Sequence, residues 1–174
     1  MRYIKIEDLL VFRSRWGQGN ELWKNSVLKK DFRDFFYNKC WYTEVLLVGQ
    51  DVHIDHFRPK AAVKPFENFK YNHLIQDKGY YWLANDPSNY RACCIYANRK
   101  TGSGGKGNYF PLADDGVYQS EKDENNEHPM LLDPCVAEDV KLLSFLGNRV
   151  VPATDDEWWT TARSPLIRRW SFPT

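Results

Sequence analysis

Apolar positions in the first forty residues recur at the period of a helix. Leu9, Leu10, Phe12 and Trp16 fall on one face between Ile6 and Trp16, and Gly17-Gln18-Gly19 ends that segment. A second stripe, Leu22, Trp23, Val27, Leu28, Phe32, Phe35 and Phe36, follows Asn20 as its expected N-cap, with Lys29, Lys30, Arg33 and Asp34 interleaved. Its aromatics read as core rather than as a stacking surface. After Cys40 the pattern changes: β-rich runs from Trp41 to Val48 and from Val52 to Ile54 flank Gly49-Gln50-Asp51 and predict a β-hairpin. A polar excursion from Arg58 to Lys78 ends at Gly79, before a strand-like Tyr80-Tyr81-Trp82-Leu83-Ala84. Asp86-Pro87-Ser88-Asn89 reads as a turn or helix start, and a short helix is expected through Tyr96 to Lys100. Beyond a glycine-rich loop and an acidic stretch from Asp114 to His128, one further helix is expected from Ala137 to Phe145, then an irregular tail. The expected fold class is α+β.

Composition narrows the choices. At 174 residues the chain is one domain's worth, and 7 Trp, 10 Tyr and 10 Phe give ample bulk for a core. Lys and Arg (24) nearly cancel Asp and Glu (23), which excludes a globally basic coat protein and an acidic tail protein. No apolar run approaches the roughly 20 residues of a membrane span, and Met1-Arg2-Tyr3-Ile4-Lys5 leads into no signal-peptide core, so a cytoplasmic protein is expected. In that compartment Cys40, Cys93, Cys94 and Cys135 should be thiols or metal ligands. Gly104-Gly105-Lys106 lacks the spacing of a phosphate-binding loop.

The segment richest in chemistry is Val52-His53-Ile54-Asp55-His56-Phe57-Arg58-Pro59-Lys60. It places an imidazole beside a carboxylate near a strand end. Asn89 follows His56 by 33 residues and Asn98 follows Asn89 by nine. Asp-His-x-x-Pro, then Asn, then Asn-Arg-Lys resembles the HNH nucleases in their His-Asn-Asn form. Lys39-Cys40-Trp41-Tyr42, Asp55 to Lys60, Gly79 to Ala84, Lys106 to Leu112 and Leu131 to Cys135 occur in the order seen in the PtuB-like HNH subunits of Septu-type anti-phage systems.

This resemblance implies an HNH ββα-metal core with N-terminal helices and an irregular, partly helical C-terminal extension. It divides the chain into a helical segment at 1–39, the nuclease core at 40–112 and the extension at 113–174. It makes His56 the general base and Asp55 and Asn98 the oxygen ligands of Mg²⁺ or Mn²⁺. Nine residues of continuous helix would put Asn89 and Asn98 on opposite faces, so Asn89 must precede the helix if both serve one site. The resemblance gives Asn89 the task of pinning the loop that carries His56. The strand is expected to end at Asp55, with His53 a neighbouring polar residue or, alternatively, a substrate or ligand contact. Arg58, Lys60, Arg99, Lys100 and Lys106 are candidate nucleic-acid contacts.

Two departures matter. Many relatives hold a structural Zn²⁺ with two Cys-x-x-Cys pairs; here Thr43 and Ala97 stand where the second cysteines would be, so Cys40 and Cys94 read as remnants and loss of that zinc is expected. Arg163 to Thr174 has two prolines and no helical period, unlike the helical ending of relatives. The resemblance also implies partners: a PtuA-like ATPase of the ABC/SMC class, in some systems a retron reverse transcriptase with its DNA, and a nucleic-acid substrate, with no membrane. The alternative is a catalytically weakened nucleic-acid-binding or assembly subunit of the same complex.

Overall fold

The computed structural model describes residues 3–64, 78–99, 105–112, 118, 121, 127–147 and 149–153. The first apolar stripe folds as α1 (Ile6–Leu10) and a 3₁₀ turn over Arg13–Trp16, which bury Leu9 and Trp16. The second starts later than its pattern suggests, with a 3₁₀ turn at Leu22–Lys24 before α2 (Ser26–Phe35). Asn25, not Asn20, caps α2: its Oδ1 accepts from the Leu28 amide at 2.9 Å while its Nδ2 donates to the Trp16 carbonyl at 3.1 Å. That second bond ties the two stripes together, so the cap is chosen by tertiary contact. Leu28 and Phe32 are fully buried on α2, and Phe36 stacks on Phe32 and meets Trp41 edge-on.

The expected hairpin of 41–48 with 52–54 does not form. Residues 41–48 turn back on themselves through Cys40 N to Val45 O and Glu44 N to Cys40 O, and Trp41 N donates to Ala92 O at 2.8 Å. β1 (His53–His56) instead pairs antiparallel with β2 (Tyr90–Cys93), His53 opposite Cys93 and His56 opposite Tyr90. Every residue of β2 is buried, so it offers β1 a partner inside the core that an exposed local hairpin cannot. β1 also runs one residue further than expected, through His56, which sends Asp55 and His56 to opposite faces. α3 (Ile95–Asn98) follows β2 across Cys94.

Other elements differ from the sequence reading as well. Tyr81–Leu83 is a 3₁₀ turn, not a strand, and a second 3₁₀ turn at Pro87–Asn89 is capped by Asp86, which accepts from Ser88 N. The C-terminal helix is cut short: α4 (Ala137–Lys141) gives way to β3 (Leu143–Leu146), paired antiparallel with β4 (Arg149–Pro152). Gly147, at φ 63°, supplies left-handed backbone directly after β3. The tail from 154 lies outside the described residues. The whole is an α+β fold with two small antiparallel sheets.

One apolar cluster runs from Ile4 to Ala97 and joins α1, α2, β1 and β2, so the N-terminal segment shares its core with the residues beyond 39. A second gathers Phe57, Val63, Tyr80, Phe110, Leu112 and Leu131. Among the described residues no helix is long and apolar enough to cross a membrane. Arg91 on β2 forms a buried two-point ion pair with Asp133, Nη2 to Oδ2 at 2.5 Å and Nε to Oδ1 at 3.1 Å, which fastens the Leu131 to Cys135 block to the central sheet. Asp133→Ala strands that guanidinium and should cost about 3–5 kcal/mol in urea unfolding. A loss below about 1 kcal/mol would show that the pair does not hold the block.

Candidate functional site

A cleft of about 400 Å³ opens over the end of β1, with His53, Asp55, His56 and Asn98 in its wall and Trp23, Lys24, Lys29, Lys60 and Arg99 around them. The strand delivers the first three and the last residue of α3 delivers the fourth. His56 packs edge-on against Trp23 and Tyr90 and is 7% exposed. Its Nε2 lies 2.9 Å from the Ala84 carbonyl, which can only accept, so the ring proton sits on Nε2 and Nδ1 keeps the lone pair. Burial lowers the His56 pKa to about 4, against the opposing pull of the Ala84 carbonyl and Asp55. The imidazole is therefore neutral at pH 7.

Asp55 is buried between two donors. The Tyr42 hydroxyl donates to its Oδ2 at 2.5 Å, and the Lys106 ammonium stands 2.9 Å from the same oxygen. Lys106 is fully buried and also donates to the His56 carbonyl at 2.7 Å. This corrects its assignment as a nucleic-acid contact: an ammonium shut inside the core against a carboxylate cannot reach a polymer. Burial and the Asp55 charge together keep the Tyr42 phenol protonated by raising its pKa.

Asn89 lies just before β2 and grips the loop after β1 from both ends of its amide. Oδ1 accepts from Arg58 N at 2.8 Å, Nδ2 donates to Arg58 O at 2.9 Å, and its own carbonyl accepts from Phe57 N at 2.8 Å. These three bonds hold the chain leaving His56 in one path. Asn98 turns its Nδ2 towards His53 Nδ1 at 3.3 Å. Burial, with the Lys29 and Arg99 charges, lowers the His53 pKa.

The other basic candidates divide. Lys60 and Arg99 border the cleft, with the Lys60 ammonium 3.2 Å from the centre of the Trp23 ring. Arg58 is not free: its Nε pairs with the buried Glu127 at 2.6 Å, and Tyr80 donates to the same carboxylate. Lys100 lies outside the described residues. The sequence pattern places Trp23 and Lys29 in a helical stripe and Tyr42 in a motif block, and marks neither them nor Lys24 as site residues.

Cys40 and Cys94 meet thiol against thiol, with the Thr43 hydroxyl beside them. That hydroxyl is buried without a well-formed hydrogen bond among the described residues. The Cys40 thiol as donor, with the amides of Ala97 and Tyr96 pointing at the Cys94 sulfur, lowers the Cys94 pKa, while Cys40 is raised. Cys93 points away, its thiol towards the His53 carbonyl. Two thiols, a hydroxyl and a methyl do not make a four-ligand zinc site. Among the described residues no three His, Cys, Asp or Glu side chains converge on a metal position.

Comparison with sequence models of protein families, with curated proteins and with solved structures returns no match.

Two outcomes test this geometry. The unfolded state takes up a proton at His56 at its ordinary value of about 6.5 and the folded state only near 4, so stability should fall as pH drops through that window, by on the order of 3 kcal/mol from this group. His56→Gln should flatten that part of the profile, and an unchanged slope would assign the loss elsewhere. Separately, Thr43→Cys with Ala97→Cys should create a chelator-sensitive site holding about one Zn²⁺ and raise the melting temperature; absence of zinc from the double variant would show that the two turns do not converge as described.

Proposed function

We propose that this chain is a metal-dependent endonuclease of the HNH type, the effector of an anti-phage complex gated by an ATPase partner. The observation that carries the reading is the grouping of His56, Asp55 and Asn98 around one cation-rimmed cleft, with Asn89 clamping the loop behind His56. Two antiparallel strands followed by a helical turn support this reading.

Each residue has a separable task. His56 Nδ1 accepts a proton from water, and its bond to Ala84 fixes both tautomer and ring direction. The approach of a phosphate anion raises the basicity of that ring from its low resting value. Asn89 keeps the ring's own backbone from drifting, a positioning role. Asp55 offers a carboxylate oxygen and Asn98 a carboxamide oxygen, a hard donor set that fits Mg²⁺ or Mn²⁺. Such an ion, when bound, stabilises charge on the phosphate and the leaving oxygen. Lys29, Lys60 and Arg99, beside a Lys24 that is paired with Glu21, supply the positive field that a chain of net charge +1 lacks overall. The incomplete ligand set at Cys40, Thr43, Cys94 and Ala97 favours a second reading, a catalytically weakened nucleic-acid-binding or assembly subunit of the same complex.

The deciding experiment offers DNA and RNA to the full chain with its genomically neighbouring ATPase and Mg²⁺ or Mn²⁺. Cleavage of one polymer is expected, with His56→Ala lowering the rate at least about 100-fold while partner binding persists. Cutting retained by His56→Ala would sink the base assignment, and no cutting by the wild type would favour the assembly reading.

A further inference from the structure

His53 has no task in the reaction above, yet it lines the same cleft. The two-residue period of β1 puts its side chain on the face that carries Asp55. From the other side α3 brings Asn98, whose amide stands 3.3 Å from His53 Nδ1. Because the amide nitrogen donates, Nδ1 carries a lone pair directed at that amide. Two donor atoms bound at about 2.1 Å and at right angles on one ion stand about 3 Å apart, close to this separation. The oxygen and nitrogen ends of a carboxamide exchange by a half-turn of its terminal torsion, so an oxygen can face the lone pair with little movement of the backbone.

We propose that His53 is a third ligand of the divalent ion beside Asp55 and Asn98, an inference that rests on the metal-dependent reading of this cleft. The addition changes which ion the site takes. A carboxylate and a carboxamide alone suit Mg²⁺, whereas an imidazole nitrogen in the set favours first-row transition ions such as Mn²⁺. The ligand set then joins one strand face to the end of the following helix.

Mn²⁺ binding to the full-length chain, followed by electron paramagnetic resonance, tests this without any cleavage assay. The wild type should bind Mn²⁺ with an imidazole-nitrogen coupling in its pulsed spectrum, and His53→Gln should lose that coupling and bind at least about tenfold more weakly. Asp55→Asn should weaken binding too, which ties the signal to this cleft. If His53→Gln keeps both the affinity and the coupling, or if the coupling disappears in His56→Ala instead, the His53 assignment is overturned while the metal-dependent reading stands. If the wild type binds no Mn²⁺ at millimolar concentration, both fall together. His53 is half-buried, and should His53→Gln unfold, His53→Asn gives the same readings.

Discussion

A buried ammonium holds the end of the central strand. Lys106 reaches the Asp55 carboxylate and the His56 carbonyl with one side chain, while its own amide bonds to Ala97 O and the next amide bonds to Asn98 O. Strand end and helix end are thereby fixed to the same two residues. Burying such a pair costs several kcal/mol of desolvation, which is offset here because Tyr42 and the His56 carbonyl complete its hydrogen bonding. Without that cation, Asp55 would be a buried charge with a single phenol for company. The position of every group in the cleft wall depends on its not being so.

What could be read in advance followed from arithmetic along the chain. A nine-residue spacing cannot keep Asn89 and Asn98 on one helix face, so Asn89 had to precede the helix, and it does, at the head of β2. The amphipathic stripes of the N-terminal segment were legible for the same reason. What was illegible depended on distant partners. Residues 41–48 have the composition of a strand, but the bond that decides their course is from Trp41 to Ala92, about fifty positions away. Lys106 looked like its neighbours Arg99 and Lys100 because sequence records charge and not depth. Trp23 looked like core because a stripe does not announce where it reaches the surface. Gly147-Asn148, by contrast, carried an overlooked local signal for the hairpin that replaced the end of a helix.

The charge of the molecule is nearly balanced, but it is not evenly spread. Several cations pair locally with carboxylates on the surface or in the core, as Lys30 does with Asp34 and Arg91 with Asp133. Around the cleft Lys24 is likewise paired, with Glu21 at 2.7 Å, while Lys29, Lys60 and Arg99 line the rim and Asp55 is already answered by Lys106, so a small positive excess gathers there. Trp23 adds a flat apolar surface under Lys60, so the rim combines charge with a ring.

Asn89 closes a ring of backbone. Its grip on Arg58 is reinforced nearby by Tyr80 N bonding to Pro59 O, and Gly79 lies so close to Ala61 that an added Cβ would sit 2.0 Å from its carbonyl oxygen. These anchors tie both flanks of the intervening stretch. Closing a loop of twice the length costs only about 0.6 kcal/mol more. A change in the length of the stretch between Lys64 and Lys78 should therefore disturb the anchored residues on either side of it little.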